Sequence, residues 1–368
     1  GGTLRPMNLQ APHFARIGRA FMTRRVPVYA HFGITHRCDL TCKMCGIWRY
    51  GNKKEELSVD EIGQMARRFA RMGVVQVAIG GGEPFAYEEL EEAARQFIEA
   101  GINLRLLTNA VQVPTERLQK CLDYGVKNFS ISLDSLYPER FDYICEKEGA
   151  WEGAVKNMTW LANQLKGSGG TLVMNTVVSN LNLEEIPELV RFAQAIGFHI
   201  SLLPVELLAD AKAGVRNWEA RFIRYRPEMG IGQNQSPAQV RDRIETAYNT
   251  IIQMKKEGWP ILNTTPYLEA SRQYLLTGRY PTQGCHAGKL YFSVAPNGQF
   301  TICHRKAQEH ISFLDPGFDD YFASDAFERQ RHFDASTCEG CMRACWIDTS
   351  SMFRTIEGFF DTVRLNFR

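Results

Sequence analysis

The sequence predicts an α/β protein, a partial (β/α)6 TIM-like barrel followed by a smaller cysteine-containing region. Two observations lead to this fold class. Short apolar segments alternate six times with amphipathic helical segments between residues 26 and 204. Eight of the ten cysteines fall into two groups, one directly after the first predicted strand and one near the end of the chain. A full barrel of this kind has eight strand–helix units, so six units predict an open barrel.

Each predicted element has its own signal. Ser58 with Glu61 three residues later forms a capping box at the start of a helix, and Gly101 ends the next one. Strands are predicted at 26–35, 74–80, 102–109, 127–134, 171–179 and 198–204, and helices at 58–73, 86–101, 114–124, 151–165 and 183–197. Because parallel strands end at one mouth of a barrel, we expect the chemistry there.

The rest of the chain is less regular. The clearest helix of a connecting segment is predicted at 236–258, and a hairpin at 289–303 turns around Pro296, Asn297 and Gly298. Amphipathic helices are predicted at 12–25 and at the C-terminus, 350–368. We therefore divide the chain into a helical extension (1–25), the barrel (26–210), a helical connector (211–283) and a C-terminal domain (284–368).

Composition excludes several classes of protein. A formal charge of +2 argues against the strongly basic surface of a nucleic-acid-binding protein. The sequence contains no apolar run long enough for an integral membrane span and no signal peptide, so a cytoplasmic protein is expected. In that reducing compartment, clustered cysteines favour metal or catalytic roles over disulfides.

The first cysteine group, Cys38, Cys42 and Cys45, lies within "THRCDLTCKMCGIW". Structural zinc sites normally have four ligands, so three thiols on one loop indicate a metal centre with one open position. The CxxxCxxC spacing after a first strand resembles the radical S-adenosylmethionine (radical SAM) superfamily. The resemblance implies a [4Fe–4S] cluster held by these three thiolates, with SAM on the fourth iron. A partial zinc site is the alternative.

Two further motifs support the resemblance. "GGGEP" (80–84) follows the second strand and resembles the family's GGE motif, which implies that Gly81 and Gly82 allow a close approach to SAM and that Glu83 contacts its ammonium group. "SISLDS" (130–135) resembles the family segment that contacts the SAM ribose and methionyl groups. The remaining candidate SAM-binding residues lie at other strand ends; they are Thr108, Asn109, Ser132, Asp134 and Asn175. The motifs identify no catalytic residue.

The second cysteine group resembles the SPASM and twitch extensions of the same superfamily. The resemblance implies one auxiliary [4Fe–4S] cluster, with Cys285, Cys303, Cys338 and Cys341 as the first choice of ligands. Cys345 is able to replace one of them. A zinc ribbon is the alternative reading of these five cysteines.

The expected activity is that of a radical SAM oxidoreductase, which cleaves SAM reductively and uses the 5′-deoxyadenosyl radical to remove hydrogen from an unactivated C–H bond. A low-potential donor such as flavodoxin or ferredoxin would supply the electron. Peptide-modifying relatives commonly have an arginine where this chain has Cys145. We therefore place a small-molecule substrate (sugar, cyclitol or lipid precursor) first and a ribosomal peptide or protein second. The third possibility is a non-enzymatic Fe–S or zinc protein.

Overall fold

The computed structural model describes residues 26–51, 55–205, 236–280, 285–303 and 311–342. The helices predicted at 12–25 and 350–368 lie outside the described residues, as do Cys345 and most of the first half of the predicted connector.

Eight strands and ten helices make up the described part of the chain. The strands are β1 (Tyr29–Thr35), β2 (Gln76–Gly81), β3 (Asn103–Thr108), β4 (Asn128–Ser132), β5 (Thr171–Val178), β6 (His199–Pro204), β7 (Tyr291–Val294) and β8 (Phe300–Thr301). The helices are α1 (Val59–Met72), α2 (Leu90–Glu99), α3 (Thr115–Asp123), α4 (Pro138–Cys145), α5 (Ala150–Leu165), α6 (Ile186–Ala195), α7 (Pro237–Lys256), α8 (Thr265–Thr277), α9 (Phe318–Ala323) and α10 (Asp325–Ser336). Short 3-10 turns precede α2 and α6 and follow the cysteine loop.

All eight strands form one sheet in the order β6-β5-β4-β3-β2-β1-β7-β8. Strands β1 to β6 are parallel and adjacent in chain order, because each is connected to the next through at least one helix. The predicted α/β class with six strand–helix units is confirmed. The capping box of Ser58 and Glu61 is present at the start of α1, which ends at Gly73 in the left-handed conformation.

The predicted C-terminal hairpin extends the barrel sheet. Strand β7 pairs in parallel with β1, with Tyr291 opposite Tyr29, and β8 pairs with β7 in the antiparallel direction. On the outer face, the Phe69 ring of α1 lies 5.8 Å from Phe292 and 4.6 Å from Phe313. The hairpin is therefore continuous with the barrel core, although the sequence analysis assigned it to a separate domain that begins at residue 284.

Four helices were not predicted individually, namely α4, α8, α9 and α10, although α8 lies within the segment that was expected to be a helical connector. Helix α4 begins with Pro138 at its first turn, and Ser324 caps α10, accepting a hydrogen bond from the Phe327 amide. Both are recognised start signals that the sequence contained. The six-residue α9 has no side-chain cap and left no comparable signal.

The two faces of the sheet differ in polarity. Residues on the helix-covered outer face are apolar and buried, as Phe32, Ile79 and Leu106 illustrate. The inner face carries the alternate residues and is polar, including His31, Arg105, Ser130 and His199. The described helices include none that is long and apolar enough to cross a membrane. The fold thus places a polar interior beneath the mouth at which the predicted site residues lie.

Candidate functional site

The cysteine loop begins at the carboxyl end of β1, where an ion pair holds its backbone. Arg37 donates two hydrogen bonds to the buried Glu56 carboxylate, at 2.8 and 2.9 Å, and Thr35 donates a third. The Arg37 carbonyl in turn accepts the Glu83 amide at 2.8 Å. The first loop and the glycine-rich turn after β2 are therefore joined directly through backbone hydrogen bonds.

The three thiols of this loop differ in exposure. Cys38 and Cys42 are half-buried and Cys45 is exposed. The Cys45 amide donates to the Cys42 carbonyl at 3.0 Å, and the Trp48 indole donates to the Cys45 carbonyl at 2.9 Å. Burial raises the pKa of the Cys38 thiol to about 12. Across the described ranges, no three His, Cys, Asp or Glu side chains are grouped in a way that holds a metal ion.

The glycines of the turn after β2 have a structural role that was not predicted from the sequence. A Cβ atom on Gly81, at φ 119°, would lie 2.2 Å from the Thr35 carbonyl oxygen. A Cβ atom on Gly82 would lie 2.0 Å from the Arg37 carbonyl oxygen. Both glycines are thus required by the close approach of the first loop's backbone, and their contact with SAM stays a prediction.

The Gly82 contact gives a stability prediction. We expect Gly82→Ala to lower the free energy of unfolding in urea by about 3 kcal/mol or more, because backbone atoms must move to admit the methyl group. Gly46→Ala is the matched control within the cysteine loop, since a Cβ atom there would meet nothing within 4 Å. Equal unfolding midpoints for the two variants would contradict the assigned role of Gly82.

Glu83 lies at the centre of the hydrogen-bond network. Its carboxylate accepts from the Thr108 hydroxyl and the Asn109 amide, both at 2.7 Å, and from the Phe85 amide at 3.1 Å. The Asn109 side chain donates to Asp39 at 2.8 Å, next to Cys38. Burial raises the pKa of Glu83 to about 7. Three of the predicted SAM-binding residues, Glu83, Thr108 and Asn109, are therefore brought into contact beside the first cysteine.

The other predicted residues lie on β4, β5 and the turn after β4. Ser132 and Asn175 are partners in the strand register, and both are half-buried on the inner face. Asp134 is buried and accepts the Val177 amide at 2.6 Å. Burial raises the pKa of Asp134 to about 7. Asp134 also lies close enough to Cys42 for the two to interact electrostatically, so both halves of the mouth adjoin the cysteine loop.

The two raised carboxyl pKa values predict how stability depends on pH. Glu83 and Asp134 bind their protons more tightly in the folded protein than at their ordinary values of 4.5 and 3.8. Their stabilising contribution is therefore complete at pH 3.8 and below. It is lost as the pH rises through 7, by about 3 kcal/mol for Glu83 and about 4 kcal/mol for Asp134. We expect urea titrations of metal-free protein to show this loss, and Glu83→Gln with Asp134→Asn to reduce it. A double variant whose free energy of unfolding depends on pH as steeply as that of the wild type would contradict this prediction.

Two residues near the loop were not assigned a role from the sequence. The Cys145 thiol at the end of α4 lies near Cys42, and its interaction with Cys42 lowers the pKa of the Cys42 thiol. The Lys43 amide also donates to the Ile144 carbonyl at 3.0 Å. Arg140, which with Lys147 is one of the two cations nearest in sequence to Cys145, forms an ion pair with the buried Glu185. The end of α4, with Ile144 and Cys145, therefore contacts the cysteine loop at Lys43 and Cys42.

The second cysteine group is spread over three segments. The Cys285 sulfur lies 3.1 Å from the Tyr291 hydroxyl and accepts the Ala287 amide at 3.4 Å. Cys338 accepts the Gly340 amide at 3.3 Å. Cys303 and Cys341 are half-buried against the core. Amide-to-sulfur hydrogen bonds of this kind suit a cluster-ligating thiolate, and Cys345 lies outside the described residues.

Comparisons with known proteins agree with this arrangement. Residues 32–193 match the profile of the radical SAM superfamily. A PqqA peptide cyclase from Rhodopseudomonas palustris is 27% identical over 303 residues, covering 81% of this chain and 72% of that protein. An AdoMet-dependent heme synthase from Methanosarcina barkeri is 28% identical over 277 residues, covering 73% and 74%.

A solved structure shares the fold. Streptococcus suis SuiB bound to S-adenosylmethionine aligns with a TM-score of 0.61 at 16% identity, covering 89% of this chain and 76% of SuiB. The non-enzymatic reading of the sequence is not supported, since the named relatives are enzymes. With its CxxxCxxC loop at the mouth of a partial barrel of parallel strands, the chain contains a radical SAM superfamily domain over residues 32–193.

Proposed function

We propose that this radical SAM enzyme modifies a peptide or protein side chain. The observation that carries the proposal is the similarity to a PqqA peptide cyclase along 81% of the chain. The fold likeness to SuiB, which has also been solved with its precursor peptide SuiA, agrees with it at a TM-score of 0.57.

This proposal reverses the order of substrates in the sequence analysis. There, Cys145 in place of an arginine favoured a small molecule such as a sugar, cyclitol or lipid precursor. The similarity to a PqqA peptide cyclase along 81% of the chain now outweighs that single position.

Cys38, Cys42 and Cys45 are proposed to hold the [4Fe–4S] cluster of the radical SAM site. Thiols are the donors that iron–sulfur clusters take, and three on a loop of eight residues can converge on one cluster. The loop also lies beside the proposed SAM-binding residues, because Asn109 donates to both Glu83 and Asp39. When bound, the cluster supplies the electron that cleaves SAM and produces a radical able to abstract hydrogen.

The chain's own residues bind and orient SAM in this proposal. Glu83, already ordered by three donors, accepts the ammonium group, and Asn109 connects it to the cysteine loop. Ser132, Asp134 and Asn175, on and after the neighbouring strands β4 and β5, contact the ribose and methionyl groups. The barrel wall excludes water and small reductants, which would otherwise consume a reactive carbon radical.

The remaining assignments stay proposals. Cys285, Cys303, Cys338 and Cys341, or Cys345 in place of one, hold an auxiliary [4Fe–4S] cluster that accepts an electron or orients the substrate. A cytoplasmic location and a flavodoxin or ferredoxin donor suit these oxygen-sensitive cofactors. The division of the chain into domains at residues 25, 210 and 283 also stays a proposal. The β7–β8 hairpin lies after residue 284 but pairs with β1 of the barrel sheet.

The substrate class is testable without knowing the substrate. Iron-loaded enzyme is incubated anaerobically with SAM, dithionite and size-separated extract of the producing organism, and 5′-deoxyadenosine is measured. We expect the stimulating fraction to lose its effect after treatment with proteinase K, with heat-inactivated proteinase as the control. A stimulating fraction that resists the protease would overturn the peptide proposal.

A small-molecule substrate is the second candidate, and the similarity to the AdoMet-dependent heme synthase favours it. That relative covers 73% of the chain at an identity comparable to the peptide cyclase. A protease-resistant, low-mass stimulating fraction is the result that this candidate predicts.

A further inference from the structure

Arg105 is an unusual residue for its position. The eight described strands contain no other Asp, Glu, Lys or Arg. Its neighbours Leu104 and Leu106 are buried on the helix-covered face, so Arg105 extends into the barrel interior. The side chain keeps partial access to solvent there. A charged group is therefore held inside the barrel but stays within reach of a ligand.

Among the described residues, no acidic side chain compensates the charge of Arg105. Arg105 donates one side-chain hydrogen bond, to the Ser130 hydroxyl at 3.2 Å. No carboxylate in the described part of the chain forms an ion pair with it, and burial lowers its pKa to about 10. A partly buried charge without an opposite charge is unfavourable for folding, and a ligand that supplies the opposite charge would offset this cost.

The guanidinium group points toward the proposed SAM site. Arg105 is level with Asn128 in the strand register, whereas its partner Ser130 lies two residues nearer the mouth. Ser132 and Asn175, proposed to contact SAM, lie a further two residues along, about 6–7 Å above Ser130. A group bound at Arg105 would therefore lie deeper in the barrel than the residues proposed to contact SAM.

The charges around Arg105 favour a singly charged anion over a doubly charged one. His199, which lies close enough to interact with Arg105, has its pKa lowered to about 4 by burial and by the arginine, so it is neutral near pH 7. Arg105 is then the sole positive charge of this region among the described strands. One guanidinium balances a monoanionic carboxylate, whereas a phosphate group carries nearly two negative charges and normally requires further cations.

We propose that Arg105 and Ser130 form a subsite in the barrel interior that binds a carboxylate group of the substrate. The identity of this carboxylate rests on the function proposed above. In a peptide substrate it is an acidic side chain or the C-terminal carboxylate. The subsite places the substrate beneath SAM and contributes to the choice of substrate.

The subsite is testable with acetate as the probe. The thermal unfolding midpoint of the iron-loaded protein is measured in acetate and in chloride at equal ionic strength and pH 7, with inorganic phosphate as a second anion. We expect acetate to raise the midpoint above its value in chloride, and by more than phosphate does. Arg105→Gln should lose the acetate effect, and Arg105→Lys should keep part of it.

A second measurement separates ligand binding from a structural role. In chloride, Arg105→Gln should unfold at the same temperature as the wild type or higher, because an uncompensated charge has been removed. The matched control is Arg117→Gln, which breaks an ion pair with the buried Glu91 and should unfold earlier while keeping the acetate effect.

Each contrary result overturns the subsite. It fails if the wild type gains nothing from acetate, if Arg105→Gln keeps the gain, or if Arg105→Gln is destabilised or fails to fold. The proteinase experiment decides independently whether the substrate is a peptide. An acetate effect dependent on Arg105 together with a protease-resistant substrate would leave the subsite in place and remove the peptide.

Discussion

Replacing Cys38, Cys42 and Cys45 together by alanine is expected to abolish SAM cleavage and to remove about half of the bound iron. The three thiols are the proposed ligands of the cluster that reduces SAM, and no other described cysteine apart from Cys145 lies at this loop. The second cysteine group is on separate segments after residue 284, so its iron should remain. Iron is measured after anaerobic reconstitution, and SAM cleavage by the 5′-deoxyadenosine formed with dithionite.

Cys121→Ala is the matched control for this experiment. Cys121 is completely buried on α3, away from both cysteine groups, and should affect neither iron content nor SAM cleavage. Stoichiometric zinc without iron in the wild-type protein would contradict the cluster assignment. A triple variant that still cleaves SAM would exclude this loop as the reductive site.

Replacing Glu83 by glutamine is expected to weaken SAM binding by about 10- to 150-fold, which corresponds to about 1.5–3 kcal/mol for a lost charge-assisted contact. The pKa of Glu83 near 7 adds a pH dependence to wild-type binding. Because the ammonium group binds the ionised carboxylate, affinity should increase as the pH rises toward 7 and then level off. Calorimetric titration of iron-loaded protein with SAM at several pH values measures both effects.

The control for this variant is Glu91→Gln, another buried carboxylate, which pairs with Arg117 on the outer helices. It should bind SAM normally, and iron content should be the same in both variants. Normal SAM affinity in Glu83→Gln would show that Glu83 only organises the turn with Thr108 and Asn109.

The elements of the barrel were predictable because their signals are local. Alternation of apolar residues and capping residues such as Ser58 depend only on neighbours in the chain, and all six parallel strands of the barrel were found in this way. The short strand β8 and the six-residue helix α9 were harder to predict, since an element of a few residues shows too few repeats of any pattern.

By itself, the sequence determined the fold class, the superfamily and the spacing of the thiols in the CxxxCxxC loop, since each is written in consecutive residues. The tertiary structure decided which distant residues meet. It paired β7 with β1, brought Glu83 to Thr108 and Asn109, and placed Cys145 against Cys42. It also placed Arg105 inside the barrel with the Ser130 hydroxyl, rather than any carboxylate of the described residues, as its side-chain partner. These contacts depend on strand register and helix packing between segments far apart in the chain, and no local pattern encodes them.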